Sequence, residues 1–586
     1  MSTARYFDWP WGSVEVDPST QVLELEVAQE EAFYAMVGRR DLERVPVNPA
    51  DPSMGAVYAI PASIGPRLYA RLSEVSNHAP IMWAPAQAFA VKARAFDDGL
   101  LATVANLVQG GTPRLPGKRG LVEDLWQALR ARWPQESSSG LRETLSFLQA
   151  ALSMTGHHEE SSRTLSQHAK RWRQDFEADA SRSTPTGVHA WTDAARALFK
   201  QDRLLQEELA PESAELLAWA LGEDPSRRAL YQRHLAFIAR LTNPSSKPAV
   251  HEVGAKRCVL PPSDSHAGRL VQALLGEVPP PLESEVIEEV LQRIRDGRLD
   301  TTPGPDSGLH DHQLHTLAPL LFPERTPESE RLVVGPRYRA ELEAQFRGFL
   351  VQPRQPQLKP VEVPAHQERG REAQVSITVP PRLTLEPLAE HYRRRADTYR
   401  FLRHMLDEFL GADRLNQERR TLVEGTSHEP LFDELVWMEQ LFRGAHAIVR
   451  RELGCAPIPD ADVPAAMLTR KWLHAWRDDV DLGTDTRRVV PLAFDQARER
   501  TRVVAMMGFL STSVEARFLQ PPQVRAFSGK GHPRAAPTPS YPSIKYQTLC
   551  PVAEEVYVRR VPEPDEFRRL CDTYVSREAI LRALQE

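Results

Sequence analysis

The sequence predicts a predominantly α-helical protein of several domains, α+β overall, with a smaller β-rich module at its C-terminal end. Apolar residues recur at helical spacing from about 120 to 350 and again from about 385 to 454. Beyond about 485 the spacing changes to two, which is typical of β-strands. The length of 586 residues corresponds to about three or four folding units, at roughly 150 residues per domain.

Changes in composition and periodicity divide the chain into five segments. Residues 1–118 are predicted to form a mixed α/β N-terminal domain, and 119–351 a helical domain. Segment 352–383 is a proline-rich linker, and 384–477 are predicted to form a helical bundle. The remainder, 478–586, is predicted to be a β-rich C-terminal module that ends in helices.

In the N-terminal half, short β patterns come first and amphipathic helices follow. Residues that favour strands concentrate at 14–16 and 21–27, on either side of a turn sequence at 17–19. The spacing then becomes helical, as in the series Leu141, Leu145, Leu148 and Leu152. This order predicts strands near the N-terminus and helices after residue 118.

Two apolar stripes after the linker predict the two strongest helices. The first stripe consists of Tyr392, Tyr399, Leu402, Leu406 and Phe409, and a glycine follows it. The second stripe consists of Leu431, Leu435, Met438, Phe442, Ala445 and Val449. Because each stripe has to be covered by another apolar surface, we expect an antiparallel helix pair within a larger bundle.

The C-terminal module is predicted to begin with a β-hairpin. Residues 488–495 and 501–510 are rich in Val, Met and Phe, and a short polar segment separates them. We expect 514–518 to extend this hairpin and 556–558 to add one more strand. Two short helices are then predicted to close the chain.

Composition and charge favour a cytoplasmic protein without membrane contact. The longest uninterrupted apolar run, 503–510, is far shorter than the roughly 20 residues that a transmembrane helix needs. The N-terminus lacks the pattern of a secretory signal, and the four cysteines include no CxxC pair. With 73 basic and 79 acidic residues, the net charge is −6. This balance argues against a protein coated with nucleic acid but is compatible with a local basic site.

Known catalytic and nucleotide-binding motifs do not occur in complete form. The segment 110–119 resembles a phosphate loop, but Arg119 stands where Ser or Thr would bind magnesium. Residues 479–490 resemble a calcium loop, but Val490 occupies the place of the bidentate glutamate. The sequence contains neither GxSxG nor GxGxxG. Enzymatic activity is therefore uncertain and not favoured, and no cofactor is expected apart from a divalent metal at the histidine cluster described next.

A cluster of three histidines is a candidate metal site. It consists of His310, His312 and His315. Imidazole is a ligand for zinc, iron and copper, and Glu439 and His446 could contribute to such a site. Alternatively, this segment is the solvated start of a helix, with Asp311 near the positive end of the helix dipole.

A basic stretch, 496–550, contains eight basic residues and two acidic ones, a net charge of +6 in a chain whose net charge is −6. Its centre is a loop with glycines on both sides of a lysine. The candidate anion-binding residues of this loop are Arg525, Lys530, His532 and Arg534. Glycines let backbone N–H groups approach an anion, and Lys and Arg neutralise it. The stretch therefore predicts phosphate contact, and the alternative is a loop whose charges are only solvated.

A second basic surface is predicted on the first strong helix after the linker. Its candidate residues are Arg393, Arg394, Tyr399 and Arg403. Arginine and tyrosine together suit phosphate contact and base stacking. The alternative is that these arginines form ion pairs with acidic residues of the same helix, such as Glu390 and Asp397.

Two hypotheses of function follow from these features. The leading one is a cytoplasmic, non-catalytic binding or scaffold protein, a subunit of an assembly, that contacts nucleic acid or another polyanion through the basic C-terminal loop. Its support is the segregation of charge and the lack of a complete catalytic motif in the sequence. The alternative is a metal-dependent enzyme that uses His310, His312 and His315.

Overall fold

The computed structural model describes most of the chain after residue 85 and short stretches before it. The described residues are 5–9, 12–16, 22–28, 43–46, 56–59, 68–75, 86–133, 138–156, 163–179, 183–185, 187–263, 286–326, 331–350, 383–495, 499–520, 524–527, 544–574 and 577–585. Nearly all of the predicted linker lies outside them, as do Lys530, His532 and Arg534.

The predicted fold class is confirmed, because helices dominate the described residues and a curled C-terminal sheet accompanies them. The helices are α1 (Ala86–Gly110), α2 (Lys118–Arg132), α3 (Ser139–Met154), α4 (Arg163–Ala178), α5 (Asp193–Leu205), α6 (Pro211–Gly222), α7 (Pro225–Leu241), α8 (Val286–Arg295), α9 (Leu309–Leu321), α10 (Pro336–Leu350), α11 (Ala389–Leu410), α12 (Ala412–Gln417), α13 (Leu431–Glu452), α14 (Val463–Ala475), α15 (Pro564–Thr573) and α16 (Arg577–Gln585). Within the described part of the chain, no helix is long and apolar enough to cross a membrane.

The strands are β1 (Arg5–Trp9), β2 (Gly12–Val16), β3 (Val22–Ala28), β4 (Glu43–Pro46), β5 (Ala56–Ala59), β6 (Leu332–Val334), β7 (Arg419–Thr421), β8 (Thr426–Pro430), β9 (Arg488–Asp495), β10 (Arg500–Gln520), β11 (Val524–Phe527) and β12 (Ile544–Val558). The largest sheet is built on an antiparallel hairpin of β10 and β12. β9 and β3 pair with successive halves of β10, and β6 pairs with β3 in parallel. A separate sheet has the order β1-β2-β11.

The C-terminal sheet differs from the predicted hairpin in the length of its strands. Residues 501–510 and 514–518 belong to one continuous strand, β10, and 556–558 are the end of the long strand β12. Gly508 adopts a φ of +124°, and the register of β10 shifts between Met506 and Gly508. A Cβ atom at this position would lie 2.5 Å from the carbonyl oxygen of Tyr69, so the bulge requires glycine.

One large hydrophobic core joins α1 to the two predicted long helices, α11 and α13. Phe89 of α1 lies in it, with its ring centroid 5.0 Å from that of Tyr392 and 5.5 Å from that of Phe442. The helices α11 and α13 run antiparallel, as predicted. At one end of the pair, His446 Nδ1 donates to the carbonyl oxygen of Ala389 at 3.0 Å. Further along, α11 meets the middle of α13 through ion pairs to Glu439.

Two further hydrophobic cores are present among the described residues. The second is formed by α2 to α7 and the segment that follows them, between residues 121 and 260. The third lies between the C-terminal sheet and the helices α15 and α16. Residues 286–350, predicted to belong to the same helical domain as 119–263, contribute to the first core.

Charged side chains are buried beside α1, where they form a network. Lys92 Nζ donates to Asp479 at 3.0 Å and to Asp481 at 2.8 Å. Arg420 of β7 donates to both oxygens of Asp481, at 3.1 and 3.0 Å. Arg420 also lies 3.2 Å from Glu434 of α13. The network therefore ties α1 to α13 and to the turn after α14.

Candidate polyanion-binding surfaces

The basic stretch 496–550 is organised by the hairpin of β10 and β12. Ala516 lies opposite Ile544, so residues 521–543 connect the ends of the two longest strands at one end of the sheet. Within this connection, β11 carries Arg525, which stands opposite Glu15 of β2 in the strand register. The other three loop candidates, Lys530, His532 and Arg534, lie outside the described residues.

Two of the basic residues counted in this stretch form ion pairs within the sheet. Arg502 is buried and pairs with Glu555 of β12, which lies outside the counted stretch. Arg517 donates to Glu515 at 2.9 Å. Arg500 begins β10 and is therefore at the opposite end of that strand from the loop. The positive charge at the loop end consequently comes from residues 521–545 and not from the whole stretch.

The predicted second surface lies on α11, where its arginines are held in ion pairs. Arg393 donates to Glu390 at 2.6 Å and to Asp397 at 2.7 Å. Arg394 donates to Glu390 at 2.7 Å. Burial by itself raises the pKa of Glu390, but the hydrogen bonds from the two arginines outweigh it and hold the pKa at about 2. The carboxylate is therefore ionised at neutral pH and compensates much of the charge of Arg393 and Arg394.

The other two candidates on α11 do not lie on one surface. Arg403 donates to Glu439 of α13 at 3.1 Å. Tyr399 is fully buried, with its hydroxyl donating to Asp97 of α1 at 3.1 Å and its ring centroid 5.5 Å from that of Phe96. Burial raises the pKa of Tyr399 well above its ordinary value, so the hydroxyl stays protonated. Tyr399 is thus a core residue and is inaccessible to a base from solvent.

The three histidines of the predicted metal cluster lie on α9 and have different neighbours. They are His310, His312 and His315. Nδ1 of His310 lies 3.3 Å from Oε1 of Gln313. The ring of His312 stacks on that of Phe401, and Nδ1 of His315 lies 3.2 Å from a guanidinium nitrogen of Arg394. Among the described residues, no group of three or more His, Cys, Asp or Glu side chains is arranged to hold a metal ion.

The histidines and the arginines of α11, predicted as separate sites, are adjacent. Arg394 also donates to the carbonyl oxygen of His315, at 2.9 Å. Burial and, to a smaller extent, the positive charge of Arg240 lower the pKa of His312 to about 4, and burial and the charge of Arg394 do the same for His315. Both imidazoles are therefore neutral at pH 7. Asp311, predicted to lie in a solvated first turn, is in the first turn of α9 but is buried.

Two arginines that the sequence patterns did not indicate lie beside the contact between α9 and α11, on the helix α7. Arg233 and Arg240 of α7 stack over Phe409 and Phe401 of α11, respectively. Their spacing of seven residues puts them on one face of α7, and this is a signal that the sequence does contain. Which helix packs against that face is not encoded in the spacing, so the stacking itself could not be predicted.

No family model matches this chain, and neither a curated protein nor a solved structure matches it. Its function therefore has to be inferred from its own charges and contacts. The two relevant features are the basic loop between β10 and β12 and the junction of α7, α9 and α11.

Proposed function

We propose that this protein is a non-catalytic binding protein, a subunit of an assembly, that contacts nucleic acid or another polyanion through the loop between β10 and β12. The observation that carries the proposal is the charge of this loop. Residues 521–543 include Arg525, Lys530 and Arg534 and no Asp or Glu, in a chain whose net charge is −6. Such clustering of positive charge is typical of surfaces that bind polyanions.

The sequence of the loop and its attachment points add support. The three cations lie within ten residues of one another in the chain, and glycines precede and follow Lys530. Glycine lets the backbone conform to an irregular anion such as a phosphate backbone. Lys545, an exposed residue at the start of β12, lies where the loop returns to the sheet, opposite Glu515 in the strand register.

Contacts to phosphate position a protein on nucleic acid but carry no sequence information. Binding through this loop should therefore depend strongly on salt and little on sequence. The alternative function, a metal-dependent enzyme built on His310, His312 and His315, gains no support from the contacts of these histidines, which involve an aromatic ring, an amide and a guanidinium.

Replacing Arg525, Lys530 and Arg534 together with alanine should weaken binding about equally for oligonucleotides of unrelated sequence. The slope of log affinity against log salt should flatten by roughly 0.7 to 0.9 for each phosphate that the variant no longer neutralises. We expect little change in melting temperature, because charged side chains in a segment rich in glycine and proline usually contribute little to stability. Fluorescence anisotropy with labelled single- and double-stranded oligonucleotides, titrated at several salt concentrations, measures both the affinity and its salt slope.

A matched control removes the same charge elsewhere. Arg470, Lys471 and Arg569 are exposed and have no carboxylate partner among the described residues. Their triple alanine variant should bind like the wild type. If the loop variant also binds like the wild type, the loop is not the polyanion site. If the loop variant instead melts at a much lower temperature, these residues have a structural role.

A further inference from the structure

Two arginines of α7 are stacked on two phenylalanines of α11. The Arg240 guanidinium carbon lies 4.8 Å from the ring centroid of Phe401, and that of Arg233 lies 5.1 Å from the centroid of Phe409. Phe409 is itself held by Phe237 of α7, with the two ring centroids 5.3 Å apart. Stacking on a ring fixes the plane of a guanidinium while its N–H donors remain at the edge of the stack.

The hydrogen bonds of both arginines go to neutral backbone carbonyl groups. Arg240 donates to the carbonyl oxygen of Pro305 at 2.6 Å and to that of Ser307 at 3.3 Å. Arg233 donates to the carbonyl oxygen of Arg114 at 3.0 Å and to that of Glu408 at 3.3 Å. In the described parts of the chain, neither guanidinium has a carboxylate within ion-pair distance. Since each has five N–H donors, both charge and donors remain for a ligand.

The neutral imidazoles of His312 and His315, on α9, add further hydrogen-bond donors beside the two arginines. The ring of His312 is nearly parallel to that of Phe401, at 18° and with centroids 4.2 Å apart. His315 Nδ1 lies 3.2 Å from Arg394, and a guanidinium can only donate. Nδ1 of His315 is therefore the acceptor, and the ring proton is on Nε2. This tautomer makes Nε2–H of His315 a donor on the side away from Arg394.

We infer that these side chains form a second anion-binding surface, the Arg–His face, which binds phosphate groups of a nucleic-acid strand. The members of the Arg–His face are Arg233, Arg240, His312, His315 and Phe401. The planar guanidinium matches a phosphate bidentately, and the neutral imidazole N–H groups add hydrogen bonds to its oxygens. The inference depends on the proposed function only for the class of ligand, because this face lies on helices and not on the loop between β10 and β12.

The spacing of the two arginines suits a nucleic-acid backbone. Seven residues of α-helix advance by about 10.5 Å, so Arg233 and Arg240 can contact separate phosphates of one strand. Ala236, the exposed residue midway between them on α7, is small and lets a strand approach the helix.

Acidic residues mark the two ends of the Arg–His face. At one end, Asp407 pairs with Arg114 at 3.5 Å, and the exposed Glu408 follows it on α11. At the other end, Glu390 is held by two arginines of its own helix. A bound strand should therefore lie along α7 between these ends, where the described residues place guanidinium and imidazole groups.

The test replaces Arg233 and Arg240 with glutamine, which keeps a donor for the carbonyl groups and removes the charge. Binding of a labelled single strand at about 0.1 M salt should weaken at least about tenfold, and the log–log salt slope should flatten by roughly 1.4 to 1.8. The control variant R470Q/K471Q removes the same charge from α14 and should leave both quantities unchanged. In addition, a strand that contains 4-thiouridine should crosslink, in the wild-type protein, to peptides of α7, α9 or α11.

Comparison with the loop variant R525A/K530A/R534A separates this inference from the proposed function. Wild-type-like binding by R233Q/R240Q, without any crosslink to α7, α9 or α11, overturns the Arg–His face, even when the loop variant loses binding. Weakening of R233Q/R240Q alone supports the Arg–His face and removes the loop. If R233Q/R240Q fails to fold, the crosslinks of the wild-type protein decide. A wild-type protein that binds no oligonucleotide at low salt overturns both proposals.

Discussion

Replacing Arg420 with methionine should lower the free energy of unfolding by about 3–5 kcal/mol, because it removes a buried cation from the buried Asp481 and the half-buried Glu434. Arg420 is 2% exposed. It donates to Asp481 at 3.1 and 3.0 Å and lies 3.2 Å from Glu434. Lys92 still contacts Asp481 at 2.8 Å after the substitution, whereas Glu434 keeps, among the described residues, a hydrogen bond from Ser427 at 3.0 Å and no cation. The buried Asp481 then has one cation in place of two, and removing one partner from a buried ion-pair network is strongly destabilising.

The adjacent residue provides the control. Arg419, also on β7, is partly exposed and donates only to backbone carbonyl groups among the described residues, at 3.5 and 3.3 Å. Its replacement with methionine should change the free energy of unfolding by no more than about 0.5 kcal/mol. Urea unfolding followed by circular dichroism at pH 7 measures both variants. A loss below about 1 kcal/mol in the Arg420 variant would mean that the network does not anchor α1 to α13.

Replacing Glu341 with glutamine should remove a loss of stability that the wild-type protein undergoes as the pH rises. Glu341 of α10 and Glu386, just before α11, are both buried. Gln345 Nε2 donates to both carboxyl groups, at 3.1 and 3.2 Å. Among the described residues, neither carboxyl group has a Lys or Arg partner. Burial raises the pKa of Glu341 well above its ordinary value, and the neighbouring charge of Glu386 raises it further.

The hydrogen bonds of the pair show which carboxyl group holds the proton. Glu386 accepts hydrogen bonds from Ala86, Tyr338, Gln345 and Thr548. Burial raises the pKa of Glu386 too, but these hydrogen bonds stabilise its ionised form and counteract the rise. Oε2 of Glu341, in contrast, is buried without a hydrogen-bond partner among the described residues. The proton therefore belongs on Glu341, and glutamine is its neutral mimic.

The pKa of Glu341 is higher in the folded than in the unfolded protein. The contribution of its proton to the stability of the folded protein is therefore complete at a pH below the unfolded-state pKa, and it is lost as the pH rises towards the folded-state pKa. From about pH 5 to the folded pKa, the unfolding free energy of the wild type should fall by about 1.4 kcal/mol per pH unit relative to E341Q. Urea titrations across about pH 5 to 8 measure this difference.

Glu343, two residues further along α10, is the control for pH dependence. It is partly exposed and pairs with Arg295, so its replacement with glutamine removes an ion pair and not a buried carboxyl group that lacks a cation. The stability curve of E343Q should run parallel to that of the wild type. If the curve of E341Q does so as well, Glu341 does not exchange its proton on unfolding, and the account of the buried pair is wrong.

The long helices could be predicted because their apolar residues keep the helical period over several turns. Both predicted stripes, from Tyr392 to Phe409 and from Leu431 to Val449, are buried in the structure. The strands at 488–495 and 501–510 could be found in the same way, from a period of two. The continuation of β10 past the bulge at Gly508 could not be predicted, because a glycine in a strand pattern is as consistent with the end of a strand as with a bulge.

The candidate surfaces depend on contacts between residues far apart in the sequence, which local patterns do not reveal. Tyr399 lies among arginines in the sequence, but its hydroxyl bonds to Asp97, 302 residues away, in the core. Arg502 belongs to the basic stretch by sequence, although Glu555 neutralises it from the neighbouring strand. Charge totals could therefore locate a basic region but could not say which of its cations are accessible.

The salt dependence of wild-type binding tests the central claim, that this protein contacts a polyanion. Anisotropy of labelled oligonucleotides of unrelated sequence is measured from about 0.05 to 0.2 M salt. The loop alone supplies three cations, so the log–log slope should be roughly −2 or steeper, and similar for all sequences. Absence of binding at the lowest salt, or an affinity that salt does not change, would contradict the claim.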